Sequence, residues 1–272
     1  MNMHAQRTAV VTGASSGIGR ASAAALVRAG FTVFGTSRRA SSNDPDGVSM
    51  LICDVTDEAS VNSLIETVLA KTGRIDILVN NAGLGLVGGA EESSVRQAQV
   101  MFDVNVFGVI RMTNAVLPHM RKQRSGRIIN ISSVLGFIPA PFSALYASTK
   151  HALEGYTESL DHELRAHATR AILIEPAYTR TAFDQNAVSP DRPMAAYEVA
   201  RRNATAVIEQ AMKTADDPQA VADMVVKAAT APVPKKRYTV GKLASQLSLL
   251  RRFVPASAFD KSLRKQLGLD RV

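Results

Sequence analysis

The feature that most constrains the fold of this chain is the alternation of short apolar segments with longer amphipathic ones. Four of the longer segments carry apolar residues at helical spacing: Ile18–Ala29, Val61–Lys71, Val95–Met120 and Ala147–His167. Seven short segments have the length and composition of buried β-strands: Arg7–Gly13, Phe31–Ser37, Val48–Asp54, Ile75–Gly83, Gly126–Ser133, Arg170–Pro176 and Arg237–Gly241. Because strand–helix–strand units stack through right-handed crossovers, we predict a doubly wound parallel sheet in a three-layer α/β/α sandwich.

The connection between the second and third predicted strands departs from this alternation. Ala40–Gly47, with the sequence ASSNDPDG, consists of turn-forming residues where a helix is expected, so we predict a loop there. No internal repeat or low-complexity linker divides the 272 residues. We therefore predict a single domain over residues 1–272, with a C-terminal helical appendage.

The net charge of +8 belongs to the last part of the chain. Residues 232–272 contain ten basic and two acidic residues, whereas the preceding 231 residues contain 22 of each. A neutral main body gives no indication of a nucleic-acid-binding surface, so we expect no nucleic-acid partner.

Cysteine and histidine usage limits the other classes. Cys53 is the only cysteine, so an intramolecular disulfide is excluded, and the five histidines show no metal-ligand spacing, so we predict no metal. No apolar run approaches the ~18 residues of a membrane span, and the first strand-like run begins too early for a secretory signal. We expect a cytoplasmic protein.

A glycine-rich turn follows the first predicted strand. In TGASSGIG, Thr12–Gly19, the glycines at 13, 17 and 19 allow a tight turn, close backbone approach to a pyrophosphate and close packing of the next helix. The helix N-terminus then offers N–H groups to the phosphates. Such turns also occur as plain connections, but the position at the first strand–helix junction favours a Rossmann-like nucleotide site. We assign to it Gly13, Ser15, Ser16, Gly17, Ile18 and Gly19.

The end of the second predicted strand indicates which dinucleotide binds. A carboxylate at this place binds the ribose 2′-hydroxyl of NAD, but here the strand ends in Ser37, Arg38 and Arg39. Arginine binds a 2′-phosphate through its planar fork and serine can donate a hydrogen bond to it. We therefore predict NADP(H) as the cofactor, the alternative being two solvated arginines in a loop.

The segment YASTK places Tyr146 and Lys150 one helical turn apart, on one face of a helix. Taken alone, such a pair is usually a solvent-exposed helix face. Together with TGASSGIG, NNAG at Asn80–Gly83 and ISS at Ile131–Ser133, however, it gives four ordered motifs. On these the chain resembles the compact branch of the short-chain dehydrogenase/reductase family.

The resemblance implies a set of functional residues. Asp54 and Val55 would lie near the adenine, and the backbone of Asn81, Ala82 and Gly83 would line the adenosine side. Asn105 resembles the helix asparagine that holds a water in a proton relay, and spacing to Tyr146 selects Ser133 as the serine that polarises the substrate. The stretch Pro176–Thr181 resembles PGxxxT, with Thr179 and Thr181 near the nicotinamide, although Ala177 stands where glycine is usual. The implied catalytic residues are Asn105, Ser133, Tyr146 and Lys150; Tyr146 and Lys150 also bind the cofactor, together with Pro176.

The chemistry of carbonyl reduction explains these residue types. Ser133 can donate a hydrogen bond to the carbonyl oxygen, while an acid–base group handles one proton. The pKa of a free tyrosine, about 10, is too high for this work, but a cation such as Lys150 nearby lowers it. We predict an NADP(H)-dependent oxidoreductase interconverting an alcohol and a carbonyl, the alternative being a catalytically idle NADP(H)-binding regulator of the same fold.

The segments expected to border the substrate are apolar. Leu84–Gly89 and Leu135–Phe142 contain no lysine or arginine, and with the region Tyr178–Tyr197 they favour a lipophilic alcohol or ketone, for example a steroid-like or retinoid-like compound. The structural alternative is that these residues fill the core. Residues 182–214 are predicted to form a helical lid over the pocket.

The basic tail, residues 242–272, has an amphipathic pattern. Its helical faces carry Leu243, Leu247 and Leu250, and then Phe259, Leu263 and Leu267. Such helices cap their own domain, contact a second subunit or lie on an anionic membrane. We expect a homo-oligomer, a dimer or tetramer, with peripheral membrane contact as a further possibility.

Overall fold

A computed structural model describes residues 6–40, 47–183 and 186–266. Its centre is a sheet of seven parallel strands in the order β3-β2-β1-β4-β5-β6-β7. The strands are β1 (Thr8–Val11), β2 (Thr32–Ser37), β3 (Val48–Ile52), β4 (Ile77–Asn80), β5 (Gly126–Ile131), β6 (Thr169–Pro176) and β7 (Arg237–Val240). Six of the seven strands lie within a segment predicted from the sequence, and β6 begins one residue before its predicted segment, so the predicted parallel sheet is confirmed.

The helices follow in chain order and account for most of the remaining described residues. They are α1 (Gly17–Arg28), α2 (Glu58–Thr72), α3 (Val95–Phe102), α4 (Gly108–Gln123), α5 (Ala144–Leu164), α6 (Glu198–Met212), α7 (Pro218–Thr230), α8 (Gly241–Phe253) and α9 (Ala256–Gln266). The last two form the predicted C-terminal helical appendage. Most of the predicted loop Ala40–Gly47, and Leu267 of the tail pattern, lie outside the described residues.

The two faces of the sheet bury alternate residues of the same strands. Ala9 and Val11 of β1 pack with α1 and α7, whereas Val10 packs on the opposite face with α2, α4 and α5. Successive side chains of a strand point to opposite faces, so a continuous apolar run serves two cores at once. Full burial of each Leu, Ile or Val contributes about 1.5–3 kcal/mol, and helices therefore cover both faces. This is the three-layer sandwich expected from the alternation.

One long helical run lies inside this sandwich. Among the described residues, Val95–Gln123 is long and apolar enough, by length and composition, to cross a membrane. Its part in α4 packs Met112, Val116 and Met120 fully buried against the sheet. A core helix passes the same test, and this packing is that of a core helix.

The strand order places a crevice at one edge of the sheet. The chain moves outward from β1 through β2 to β3, and then returns to build β4 on the other side of β1. At such a switch point the loops after β1 and β4 diverge, and they leave a crevice at the carboxyl ends of the strands.

Candidate active site

A cavity of about 890 Å³ occupies this crevice. Its walls come from the turn after β1, the residues that follow β2, β3, β4 and β5, the start of α5, and the inner sides of α6, α8 and α9. The cavity has a polar end at the glycine turn and an apolar end beneath the C-terminal helices.

The glycine turn has a backbone that only glycine adopts easily. Gly13 and Gly17 have φ angles of 65° and 53°. A Cβ at Gly19 would lie 2.2 Å from the carbonyl oxygen of Gly13, so any other residue would clash there. The three glycines therefore permit the tight turn and the close packing that their spacing predicts.

The turn is held from below by the segment after β4. The backbone N–H groups of Asn81 and Ala82 donate to the Thr12 hydroxyl at 2.9 and 3.0 Å. The Asn81 side-chain amide donates in turn to the carbonyls of Thr12 and Gly13, at 2.9 and 3.1 Å. The side chain of Asn81 thus fixes the glycine turn, a role the sequence did not indicate.

The start of α1 is suited to an anion. Its first turn contains no acidic residue, and the side chain of the N-cap residue Ser16 makes no capping hydrogen bond. Ser15, Ser16, Gly17 and Ile18 all line the cavity there. Free N–H groups, the helix dipole and the close backbone approach that Gly17 allows fit the pyrophosphate of a dinucleotide.

The loops after β2 and β3 form the next part of the wall. Ser37, Arg38, Asp54 and Val55 line the cavity, whereas Arg39 is exposed and does not. Two hydrogen bonds from Thr56, one from its backbone and one from its hydroxyl, hold the pKa of Asp54 below its usual range. Asp54 is therefore an acceptor at neutral pH, and Arg38 is the cation facing the cavity at this end.

Ser133, Tyr146 and Lys150 meet near the middle of the cavity. Ser133 follows β5 and begins a short 3₁₀ turn, Val134–Gly136, by accepting a hydrogen bond from the Leu135 N–H at 3.2 Å. Tyr146 and Lys150 occupy successive turns of α5, and the Lys150 ammonium lies 5.7 Å from the centre of the Tyr146 ring. Phe183 also packs against that ring, with 5.8 Å between ring centres.

Lys150 is buried, and burial destabilises the charged form of its side chain. Burial lowers the pKa of Lys150 from 10.5 to about 8, an effect that the charge of Glu154 partly offsets. The ammonium donates to the carbonyl oxygen of Ile131 at 2.8 Å, at the end of β5. This bond fixes where the charge lies.

A cluster of charged residues from α5, β6 and β7 follows Lys150. Glu154 lies one turn after Lys150, accepts a hydrogen bond from the Ser132 hydroxyl and pairs with Arg237, which also pairs with Glu175. Burial raises the pKa of Glu154. Burial and the Glu154 charge together raise the pKa of Glu175 to about 7. This cluster was not predicted from the sequence, although the spacing of Tyr146, Lys150 and Glu154 at i, i+4 and i+8 could have indicated it.

Asn105 lies behind the cavity wall and does not line it. It sits in a π-helical turn, Asp103–Phe107, between α3 and α4. Its amide donates to the Leu84 carbonyl and to the Thr149 hydroxyl at 2.9 and 3.1 Å, and its oxygen accepts from the Leu84 N–H at 2.7 Å. Asn105 therefore ties the segment after β4 to the residue beside Lys150.

The structure brings most of the predicted site residues to one cavity. The exceptions are Gly19, Arg39 and Asn105, which lie behind or outside its wall. Ala82, Gly83, Pro176, Thr179 and Thr181 all line it. A Cβ on Gly17 would lie 3.1 Å from the Thr181 side chain, so the stretch after β6 closes over the glycine turn despite Ala177. Among the described residues, no group of three or more His, Cys, Asp or Glu side chains is placed to hold a metal ion.

The other end of the cavity is apolar. Leu84, Leu86, Leu135, Ile138 and Pro139 line it from the body of the domain. From above, the lining consists of Phe183, Ala187, Ala204, Val207, Ile208, Leu243, Leu247, Leu250, Phe259 and Leu263. Residues 184 and 185 of the predicted lid lie outside the described residues.

The lid segment is attached through a buried carboxylate. Glu92, fully buried, accepts hydrogen bonds from the N–H groups of Gly89 and Met194 at 2.8 and 2.9 Å and pairs with Arg201 of α6. Burial alone would raise the pKa of Glu92, but these three donors hold it below its usual range. The Glu92–Arg201 pair thus helps to hold α6 over the cavity.

A doubly wound sheet with a glycine turn at its switch point is the architecture of dinucleotide-binding proteins. The family model described as short chain dehydrogenase matches residues 7–192, well over half of the chain. The protein therefore belongs to the short-chain dehydrogenase/reductase family of oxidoreductases, as the four sequence motifs predicted.

Curated relatives and solved structures agree with this assignment. An uncharacterized oxidoreductase of Bacillus subtilis, YusZ, is 36% identical over 96% of this chain and 99% of its own. A 3-ketodihydrosphingosine reductase of Bacteroides thetaiotaomicron is 41% identical, over 65% of each chain. A short-chain dehydrogenase structure from Streptomyces avermitilis matches 97% of this chain and 98% of its own, with a TM-score of 0.81 and 32% identity. ElxO with NADP bound matches 86% of this chain and 97% of its own, with a TM-score of 0.72 and 26% identity.

Proposed function

We propose that this protein is an NADP(H)-dependent oxidoreductase that interconverts a lipophilic alcohol and its carbonyl. One observation carries the proposal: a single cavity runs from the glycine turn, past Ser133, Tyr146 and Lys150, into an apolar chamber. A cofactor at one end and an apolar substrate at the other would meet at these three side chains.

The choice of NADP(H) rests on the loop after β2. Arg38 lines the cavity where the adenosine ribose would lie, and no acidic residue follows β2 directly. A 2′-phosphate would find the Arg38 guanidinium there, whereas NAD would find no carboxylate for its 2′-hydroxyl. The Ser37 hydroxyl, which donates to the Arg39 carbonyl, would have to turn away from it to reach the phosphate. The NADP bound in the ElxO structure supports this choice.

The three central side chains divide the remaining work. The nicotinamide supplies the hydride chemistry when it is bound. Ser133 donates a hydrogen bond to the substrate oxygen and thereby stabilises the negative charge that develops on it. The Tyr146 hydroxyl transfers the proton, and the ammonium of Lys150, held by Ile131, stabilises the phenolate form. Lys150 also binds the ribose hydroxyls next to the nicotinamide.

The surroundings of Asn105 restrict how it could serve a proton relay. Both N–H donors of its side-chain amide are already engaged, with Leu84 and Thr149. A relay water could therefore only donate to the amide oxygen or bind the main chain. We propose that Asn105 acts mainly by positioning, since it links the cavity wall at Leu84 to the turn of α5 that carries Lys150.

The substrate class follows from charge and shape. Among the described lining residues, the cations are Arg38 and Lys150, and both lie on the cofactor side. The apolar end therefore offers no cation that could pair with a phosphate or carboxylate of a substrate. It suits a hydrocarbon chain or ring system. The Bacteroides relative is named as a 3-ketodihydrosphingosine reductase, and this supports a ketone as the substrate.

Consumption of NADPH with a carbonyl panel tests the proposal. The panel should contain long-chain and polycyclic ketones and small hydrophilic sugars, each tried with NADPH and with NADH. We expect turnover with lipophilic ketones and NADPH. Turnover of sugars alone would overturn the substrate class. Tight NADPH binding without turnover of any carbonyl would instead favour the second candidate, an idle NADP(H)-binding regulator.

We also propose that the enzyme is cytoplasmic and forms a homo-oligomer. Exposed apolar side chains on α3 and the following turn, Val95, Val100 and Phe107, support a subunit contact. Light scattering of the purified protein tests the oligomeric state, and cell fractionation tests the compartment.

A further inference from the structure

The appendage formed by α8 and α9 has an outer side that its role as a cavity roof does not explain. On α8, Ala244 is fully buried against the domain, and Leu249 and Phe253 lie on the opposite side of the helix. Leu249 and Phe253 are 59% and 72% exposed. Two large apolar side chains thus face solvent one turn apart, where a helix that only caps its own domain would carry polar residues.

Cations surround these two side chains and continue onto α9. Lys242 and Arg252 are exposed on α8, and the Arg252 guanidinium stacks 5.5 Å from the centre of the Phe253 ring. On α9, Phe259 and Leu263 line the cavity, so Lys261 and Lys265 project from the other side of that helix. Residues 241–266 contain six basic residues and one acid, Asp260. We call the outward set Lys242, Leu249, Arg252, Phe253, Lys261 and Lys265 the outer surface of the appendage.

The appendage is fixed to the domain, so its outer surface has a defined orientation relative to the cavity. The Arg251 side chain donates to the carbonyl of Phe137 at 3.2 Å, and its guanidinium lies 5.7 Å from the centre of the Phe259 ring. Arg251 therefore joins α8, α9 and the loop after β5. Leu243 and Leu250 line the cavity and are also 42% and 47% exposed, so the apolar end of the cavity opens beside the outer surface.

We propose that the outer surface of the appendage docks on a lipid bilayer containing anionic lipids, with the apolar mouth of the cavity turned toward the membrane. Exposed Leu and Phe flanked by Lys and Arg match the acyl boundary and the anionic headgroups of such a surface. A second copy of the chain is a poorer partner, because a two-fold contact through this surface would place cations against cations. Delivery of substrate from the membrane rests on the proposed function, whereas docking itself requires no turnover.

Sedimentation of the full-length protein with vesicles tests docking. We expect binding to phosphatidylcholine vesicles that contain phosphatidylglycerol, weak binding to phosphatidylcholine alone, and a loss of binding as salt is raised. Each neutralised cation should lower partitioning about fivefold, so R252Q/K261Q/K265Q should lower it about a hundredfold. L249S/F253S should lower it at least about tenfold.

Matched controls keep the test specific. R121Q/K122Q/K227Q removes three exposed cations from α4 and α7, and V233S removes an apolar side chain that is 83% exposed elsewhere. Both should keep partitioning within about twofold of wild type. Equal binding by wild type and R252Q/K261Q/K265Q, or no binding to either vesicle, would overturn docking. An assembly in solution that L249S/F253S dissociates, without vesicle binding, would identify a second copy as the partner instead.

Binding and catalysis are measured separately in this design. A protein that binds anionic vesicles but consumes no NADPH would contradict the proposed function and leave docking supported. A protein that reduces lipophilic ketones but never binds vesicles would contradict docking alone.

Discussion

The Lys150 ammonium lies 5.7 Å from the centre of the Tyr146 ring and is held in that place by a 2.8 Å hydrogen bond to the carbonyl of Ile131. The first distance joins neighbouring turns of α5, and the second joins α5 to the end of β5. Helix geometry brings the lysine near the tyrosine, but the bond to the sheet holds its charge beside the cavity. The proposed proton transfer by Tyr146 depends on both relationships.

Removing the hydroxyl of Tyr146 should stop the chemistry and spare the binding of the cofactor. Because the proton of the proposed reaction passes through this hydroxyl, Tyr146→Phe should lower kcat by at least about a thousandfold. NADPH affinity, measured by calorimetry, should change little. Tyr156→Phe, which alters a tyrosine on the same helix that does not line the cavity, is the control and should retain activity. Near-normal turnover of Tyr146→Phe would remove Tyr146 from the mechanism.

The two serines after β5 should separate catalysis from stability. Ser133→Ala removes the proposed donor to the substrate oxygen and should lower kcat/KM by about a hundredfold to a thousandfold. Ser132→Ala removes the hydrogen bond to Glu154 and should cost about 1 kcal/mol of stability while kcat/KM stays within about threefold. Kinetics and chemical denaturation of both variants provide the measurement. The reverse pattern would show that the spacing to Tyr146 selected the wrong serine.

The buried ammonium of Lys150 should make stability depend on pH. Its pKa is about 8 in the folded protein and 10.5 for the free side chain, so between these values the unfolded chain binds more protons. Stability must then rise with pH over this window. Relative to Lys150→Met, the cofactor-free wild type should gain about 2 kcal/mol of unfolding free energy between about pH 7 and about pH 9.5.

Denaturant unfolding at both pH values tests this, because the titrating groups that do not interact with Lys150 are shared by the two proteins and cancel. Glu154 and Glu175 do not belong to those groups, so Glu154→Gln in both backgrounds serves as the control. A difference between wild type and Lys150→Met that does not change with pH would mean that Lys150 keeps its ordinary pKa when folded.

The two arginines after β2 should differ in their effect on cofactor choice. Arg38 lines the cavity and Arg39 does not. Losing a charge-assisted hydrogen bond to a phosphate corresponds to about 10- to 100-fold in affinity. Arg38→Ala should therefore raise KM for NADPH by that factor and leave KM for NADH unchanged, whereas Arg39→Ala should have a much smaller effect. Equal effects of the two substitutions would mean that neither arginine contacts the phosphate directly, and that both act only through long-range electrostatic attraction.

The contact between Glu92 and Arg201 should support both the lid and the fold. Glu92→Gln removes the charge from a fully buried pair and should cost about 2 kcal/mol in denaturant unfolding. KM for a lipophilic ketone should rise more than kcat falls, because α6 covers the substrate end of the cavity. Glu91→Gln is the matched control. Glu91 only accepts an exposed hydrogen bond from Tyr197, so its loss should cost less than about 0.5 kcal/mol. Similar costs for the two variants would argue against this role of Glu92.

Much of the fold could be predicted because each piece of it is local. Strand-forming runs such as Gly126–Ser133, separated by segments with helical spacing, indicate a parallel sheet from the pattern alone. The glycine spacing of Thr12–Gly19 could be interpreted in the same way, since steric limits at φ angles such as the 65° of Gly13 act within a single turn.

Contacts between distant segments could not be predicted. The Asn81 brace on the glycine turn, the Glu92–Arg201 pair and the Glu154–Glu175–Arg237 cluster each join residues 60 or more positions apart. Asn105 shows the same limit: its motif could be recognised, but its hydrogen bonds to Leu84 and Thr149 put it behind the cavity wall.

By itself, the sequence determined the order of strands and helices, the glycine turn and the spacing of Tyr146 and Lys150, because backbone sterics and helical periodicity act over a few residues. The tertiary structure alone decided which of these residues share a cavity, how far burial lowers the pKa of Lys150, and that both C-terminal helices close over the apolar end. Those outcomes depend on burial and on electrostatic interactions between segments far apart in the chain, and such quantities exist only once the chain has folded.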